Sequence, residues 1–330
     1  MLERVYGYKS GKEWQVSGHE QVATGIATLM RAVRLNGRNG AGDVSLEEID
    51  KPSPRAGEAL VRVHAAAITR GELEWTLDRL PAVPSYELSG VVVSVASDVD
   101  GVSIGDPVYA LTGFDRDGVA AEYAVVPAGA LAPKPRTLDH VASAAVPLAA
   151  LSAWQGLFDH GDLQPGHRVL ISGAAGGVGH FATQLARWRG AYVIGTSSSR
   201  NADFVRDLGA HEVLDHTSGS LDDLDRVHLF FDTVGGEQLV RSSAFVHEGG
   251  RLVSVAEEPP EISGATNVDT LYFVVEPNRA QLVQLARLLD AGDLHPAVDS
   301  VFPLAEARSA FERSMAPGKR GKVVLQVVGD

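Results

Sequence analysis

The chain contains no cysteine in its 330 residues. That excludes disulfides, thiolate nucleophiles and every cysteine-ligated zinc or iron–sulfur centre. Histidine offers no substitute. The eleven histidines are scattered, with no His-Glu-x-x-His and no pair at helical i, i+4 spacing, so no metal site is expected. Lone residues such as His64 and His160 read as structural groups. Basic charge is also scarce: 29 Lys and Arg stand against 42 Asp and Glu, for a formal charge of −13. Nucleic acids and anionic membranes, which are bound through cations, are therefore disfavoured partners. No run approaches the ~20 apolar residues of a membrane span. The opening "MLERVYGYKSGKEWQVSGHEQ" is polar, and the "VATGIATLM" that follows is short and broken, unlike a secretory signal. A cytoplasmic protein with a small neutral apolar substrate is the expectation, with an anion held by a few local donors left open.

What is present describes a globular protein, 45% hydrophobic and 22% charged. A chain of this length calls for two domains. From about Met30, short β-type runs such as "MRAVRLNG", "EALVRVHAAAI", "LSGVVVSVAS", "GDPVYAL" and "AEYAVVP" alternate with Gly, Pro and Asp. They read as a β-barrel-like module. "VASAAVPLAALSAWQGLFDHG" turns helical, with Gly161 as its stop. Strands and helices then alternate, beginning with Val169-Leu170-Ile171. In the next helix Val178, Phe181, Ala182, Leu185 and Ala186 share one face, and Gly190 ends it. Such alternation predicts a doubly wound parallel sheet of the Rossmann type. The closing "GKVVLQV" reads as an edge-type strand.

Between the first strand and helix of this unit lie Gly173, Gly176, Gly177 and Gly179. Glycines there allow a tight turn, let backbone N–H groups approach a pyrophosphate, and let the helix pack closely on the sheet. The next strand ends in Gly195-Thr196-Ser197-Ser198-Ser199-Arg200. An NAD site places a carboxylate here for the ribose 2′-hydroxyl. A carboxylate next to a 2′-phosphate would repel it by ~4 kcal/mol per charge pair at 4 Å and an effective dielectric near 20. This stretch replaces the acid with hydroxyls and an arginine, which suits the 2′-phosphate of NADPH. The alternative is that Arg200 merely faces solvent from the following helix.

Together "GAAGGVGHFATQLAR", "FDTVGG", "EGGRLVSV" and "GKRGKVVLQV" resemble the medium-chain dehydrogenase/reductase superfamily, in its zinc-independent, quinone-oxidoreductase-like (zeta-crystallin-like) branch. The similarity runs from about Met30 to Val328. It implies a GroES-like catalytic domain from residues 30–150 and 291–330, a Rossmann NADPH-binding domain from 151–290, and an N-terminal extension of residues 1–29 without family counterpart. It also implies a homodimer. By position, Ala175, Gly176, Gly177 and Val178 match the pyrophosphate loop. Thr196, Ser197, Ser198, Arg200 and His216 match the 2′-phosphate region. Ser152, Val234, Phe273 and Val275 match the surroundings of the nicotinamide, and Lys322 is a candidate for the cofactor's phosphates. Zinc-dependent relatives carry Gly-His-Glu where this chain has Ser85-Tyr86-Glu87, and the branch's usual Asn-Pro is replaced by Thr69-Arg70. Thr69 keeps the capacity to hydrogen-bond the cofactor and is, with Tyr86, a candidate catalytic residue.

Hydride transfer builds negative charge on a substrate oxygen, which a metal or hydrogen-bond donors must stabilise. A conjugated enone or a quinone spreads that charge itself. The expected reaction is therefore NADPH-dependent reduction of an activated C=C bond or a quinone, with Tyr86 as candidate proton donor. Tyr86 is equally readable as a tyrosine packing the cleft wall with its hydroxyl satisfied. Trp75, Phe114 and Phe273 are candidates for an apolar pocket. An enoyl-thioester reductase of the same superfamily and a non-catalytic NADPH-binding protein are the alternative functions.

Overall fold

In the computed structural model, residues 28–76, 78–216, 224–259 and 267–328 are described. The expected extension lies outside them up to residue 27. The first strand, Leu29–Leu35, starts one residue before the anticipated Met30 and pairs antiparallel with Val44–Asp50.

The first lobe is a seven-stranded sheet built from two distant parts of the chain. Its central strand, Glu58–Ile68, is antiparallel to Glu87–Val95, Tyr123–Pro127 and Lys322–Gln326. Pro107–Leu111 and the short Ala132–Pro133 extend one side, and Val298–Pro303 ends the other. Lys322–Gln326 is thus an interior strand, not the edge strand expected from its position near the chain end. Its residues Lys322–Leu325 are all buried, because both faces of the strand are covered: Val323 and Leu325 enter one core and Val324 another.

The second lobe is a six-stranded, all-parallel sheet in the order Glu212–Asp215, Tyr192–Ser197, Arg168–Ile171, Val227–Asp232, Val246–Ser254, Asp269–Tyr272. In chain order this is 3-2-1-4-5-6, the doubly wound arrangement that opens a crevice where the order reverses. The strands alternate faces with period two. Val169, Ile171 and Phe231 enter one core, while Leu170, Ile194 and Phe230 enter another on the opposite face. The fold is α/β, a Rossmann-type sheet joined to a GroES-like β lobe.

The expected long helix near residue 142 is divided. His140–Ala144 is capped by the Asp139 carboxylate, and Pro147 opens a second helix, Pro147–Trp154. Proline lacks the N–H that an interior turn needs, so it starts a helix rather than continuing one. The chain then widens into a π-helical turn, Gln155–His160. A Cβ on Gly156 would meet the Phe231 ring at 2.2 Å, so only glycine lets this turn lie so close to the sheet. Tyr109 of the β lobe donates to the Leu282 carbonyl at 2.5 Å, tying the two lobes together.

Candidate active site

A cavity of about 980 Å³ lies between the lobes, at the carboxyl ends of the parallel strands. On its floor the strand Arg168–Ile171 gives way to the glycine loop and the helix Gly179–Trp188. Gly173 makes the turn at φ +61°, and a Cβ on Gly179 would meet the Gly173 carbonyl at 2.1 Å. These are the tight-turn and close-packing roles that the spacing suggested. Ala175, Gly176, Gly177 and Val178 line the cavity between them, where the helix N-terminus adds partial positive charge.

The loop is held from two sides. The Thr196 hydroxyl accepts from the Gly173 N–H at 3.1 Å, and the Ala175 carbonyl accepts from Gly321 at 2.9 Å. His180, absent from the sequence reading, is wholly buried beneath it, and burial pushes its imidazole down to about 4. A buried histidine at the second position of a helix gives no pattern in sequence that separates it from packing.

At one end of the cavity Ser197, Ser198, Arg200 and His216 all line the wall. The Arg200 guanidinium lies against Gly318, where any added Cβ would collide with it. Arg320 braces the same turn, donating to Asn201 Oδ1 at 2.9 Å and to the Arg200 carbonyl at 3.0 Å. One feature departs from the expected acid-free rim. Asp215, at the end of the neighbouring strand, accepts from the Ser199 N–H at 3.1 Å. It stands beside Ser197 in register, so only strand pairing reveals it.

At the other end Thr69, Ser152, Val234, Phe273 and Val275 line the cavity, together with Trp75 and Phe114. Trp75 and Phe114 meet edge to face at 5.3 Å. The Ser152 hydroxyl is turned back to the Leu148 carbonyl of its own helix, at 2.8 Å. Lys322 crosses Gly177 with its methylene stem, and its ammonium sits 2.5 Å from Glu87 Oε1 and 2.7 Å from Thr69 Oγ1. What faces the phosphate loop is therefore mainly the stem. Glu87 and Glu72 are both buried. Burial raises the Glu87 carboxyl against the opposing pull of Lys322, and pushes Glu72 up to about 8. Glu72 Oε2 accepts from the Thr69 N–H at 2.9 Å, while its buried Oε1 meets no hydrogen bond of ordinary geometry among the described residues. Lys319, missed in the sequence, also lines the cavity, lowered to about 8 by burial and by repulsion from Lys322 and Arg70.

Tyr86 requires a correction. Its side chain is fully buried, does not line the cavity, and packs behind Trp75 and Phe114. Its hydroxyl accepts from the Arg79 guanidinium at 3.1 Å, and burial pushes the phenol up to about 12. The aromatic layer that makes the pocket apolar also separates this phenol from it. The positions facing the zinc-dependent pattern do not fit a metal, since Glu87 is engaged by Lys322 and Tyr86 by Arg79. Among the described residues no three His, Cys, Asp or Glu side chains come together as a metal site.

Comparison with known proteins agrees with this fold. Residues 55–136 match the alcohol dehydrogenase GroES-like domain, and residues 208–325 match a family described as zinc-binding dehydrogenase. A probable zinc-binding oxidoreductase, mitochondrial, of Arthroderma benhamiae is 33% identical, covering 87% of this chain and 94% of the relative. The NADPH-dependent alkenal/one oxidoreductase, chloroplastic, of Arabidopsis thaliana is 32% identical over 91% of this chain and 80% of the relative. The solved quinone oxidoreductase from Coxiella burnetii superposes with a TM-score of 0.84 at 29% identity, over 91% of this chain and all of the other. The chain belongs to the medium-chain dehydrogenase/reductase superfamily, among relatives of the quinone oxidoreductase and alkenal/one oxidoreductase type.

Proposed function

We propose that this protein uses NADPH to reduce a C=C bond conjugated to a carbonyl, or a quinone. The observation that carries the reading is one continuous cavity: Ser197, Ser198 and Arg200 stand at one end, and Trp75, Phe114 and Phe273 at the other. The glycine geometry fits a dinucleotide, because Gly177 lines the cavity and a Cβ there would crowd the Lys322 stem at 3.0 Å. Bound there, the cofactor supplies a hydride. The protein's own residues hold its phosphates at the helix N-terminus, exclude water with the aromatic wall, and present donors to the substrate oxygen. Relatives named for alkenal/one and quinone reduction support this substrate class.

A second reading has its own observation. Arg70 and Lys319 line the same cavity in an otherwise acidic chain, which suits an enoyl thioester with an anionic carrier. NADPH oxidation measured with enones, quinones, aldehydes and enoyl thioesters separates these classes. Tight NADPH binding without turnover of any of them would leave the non-catalytic alternative.

A homodimer belongs to the same proposal. All four residues of the edge strand Asp269–Tyr272 are exposed, with Leu271 and Tyr272 on its opposite faces and Val274 exposed just beyond it. An open strand edge of this kind invites pairing with another chain. Sedimentation of the protein and of Leu271→Lys tests it, with a monomer in the starting protein as the contrary result.

A further inference from the structure

Three hydroxyls were candidates to face the reacting end of the cavity, and the structure leaves one. Tyr86 is walled off behind Trp75 and Phe114. Ser152 donates its hydrogen to the Leu148 carbonyl. Thr69 lines the cavity, and its oxygen already accepts a hydrogen bond from the Lys322 ammonium at 2.7 Å. Among the described residues its own hydrogen has only a marginal partner, Glu87 Oε1 at 3.5 Å, well beyond the ~2.7–2.8 Å of an ordinary O–H···O bond. Donation from an ammonium polarises a hydroxyl and strengthens the bond that it gives in turn. Glu87 anchors the assembly, because its second oxygen accepts from the Leu148 N–H at 2.8 Å.

We propose that the Thr69 hydroxyl, held by Lys322 and backed by Glu87, gives its proton to the substrate oxygen that becomes charged during hydride transfer. The inference rests on the reductase reading above. In the step, hydride from the reduced nicotinamide forms a C–H bond at the carbon β to the carbonyl. The C=C electron pair shifts, and the carbonyl oxygen takes up the charge. That oxygen takes the Thr69 proton to give the enol, and Thr69 takes a proton from the Lys322 ammonium in the same motion. Once product leaves and solvent re-enters the cavity, Lys322 regains its proton from hydronium, so that the cycle consumes one hydride and one solvent proton. Thr69 is the catalytic residue here, and Lys322 and Glu87 are positioning residues.

The test compares Thr69→Val, Thr69→Ser, and Lys322→Met combined with Glu87→Gln, which removes both buried charges together. Thr69→Val should lower kcat on an enone by about 10²-fold or more, the usual size of general acid catalysis. Its NADPH Kd should stay within about twofold, and its quinone rate should change little, because a reduced quinone can take its proton from water. Thr69→Ser should restore the enone rate. A second readout needs no turnover: para-nitrophenol is bound to the protein with NADP⁺, and its absorbance reports how much is phenolate. The starting protein and Thr69→Ser should favour bound phenolate, and Thr69→Val and the double variant should not. Equal losses on enone and quinone, weakened NADPH binding, or an unchanged enone rate in Thr69→Val would each overturn the proposal. A parental phenol signal in the double variant would overturn the part played by Lys322. If the starting protein reduces neither enone nor quinone, the reductase reading itself fails, and if it reduces quinones alone, the role of Thr69 falls and the reading stands. If it reduces an enone and Thr69→Val matches it, only the role of Thr69 falls.

Discussion

His180 donates from Nδ1 to the Gly176 carbonyl at 2.9 Å, fastening the phosphate loop from below. Its Nε2 accepts from the Ala297 N–H at 3.1 Å, so one neutral imidazole bridges the glycine loop and the segment leading back to the β lobe. Protonation would place a donor against the Ala297 donor. The folded value is depressed to about 4 from 6.5, so the stabilisation is full above pH 6.5 and is lost as pH falls toward 4. At about 1.4 kcal/mol per unit, its full size is about 3 kcal/mol. Thermal melts should show Tm falling across this window, and His180→Gln should flatten the fall. His211 and His228 are lowered too, so the share of His180 is the difference between parent and variant. Parallel curves would remove it as the cause.

Glu72 predicts the opposite slope. Its folded value is raised to about 8 from 4.5 by burial, so its proton stays on through neutral pH in the folded protein only. That contribution is complete below 4.5 and lost as pH rises through 8. Glu72→Gln keeps the shape and removes the titration. Its Tm should gain on the parent steadily between about pH 5 and about pH 8 and level off above that. A constant difference across that range would mean that Glu72 ionises freely where it sits.

The proposed NADPH preference rests on the rim around Arg200. NADPH should bind more tightly than NADH, and Arg200→Ala should narrow the gap. Asp215 accepts from Ser199 beside this rim, and a carboxylate opposes a 2′-phosphate by charge. Asp215→Asn should therefore widen the preference, by about tenfold for each ~1.4 kcal/mol of repulsion removed. Calorimetric titration with both cofactors measures it. Equal affinities in the starting protein would refute the assignment of the Ser197–Arg200 stretch.

Tyr86→Phe now carries a different expectation from that of a catalytic acid. The phenol bonds Arg79 outside the cavity, so the enone rate should stay within about threefold, where loss of a general acid would cost ~10². Stability should drop by about 1 kcal/mol for the lost hydrogen bond. A hundredfold slower variant with parental NADPH affinity would return Tyr86 to the mechanism.

The parts of the site carried by local backbone were legible in the sequence. Gly173 and Gly179 act through their own φ angles and missing Cβ atoms, and both stand where the strand–loop–helix pattern put them. Ser197, Ser198 and Arg200 follow one strand end, so their shared wall comes from adjacency in the chain. The groups that were misread or missed depend on neighbours far away. Tyr86 adjoins Glu87 in sequence, yet the pleat sends the first toward Arg79 and the second toward Lys322.

By itself the sequence determined the doubly wound sheet, the glycine loop and the acid-poor strand end, because hydrophobic period and glycine placement act over a few residues. Tertiary structure decided which polar groups are shielded from water and which partners they find. Thr69 and Lys322 are 253 residues apart yet 2.7 Å from contact to contact, and Asp215 reaches Ser199 only through strand register. Charge and proton affinity at this site depend on burial and on distances of a few ångströms across separate strands. Those quantities exist only once the chain has folded.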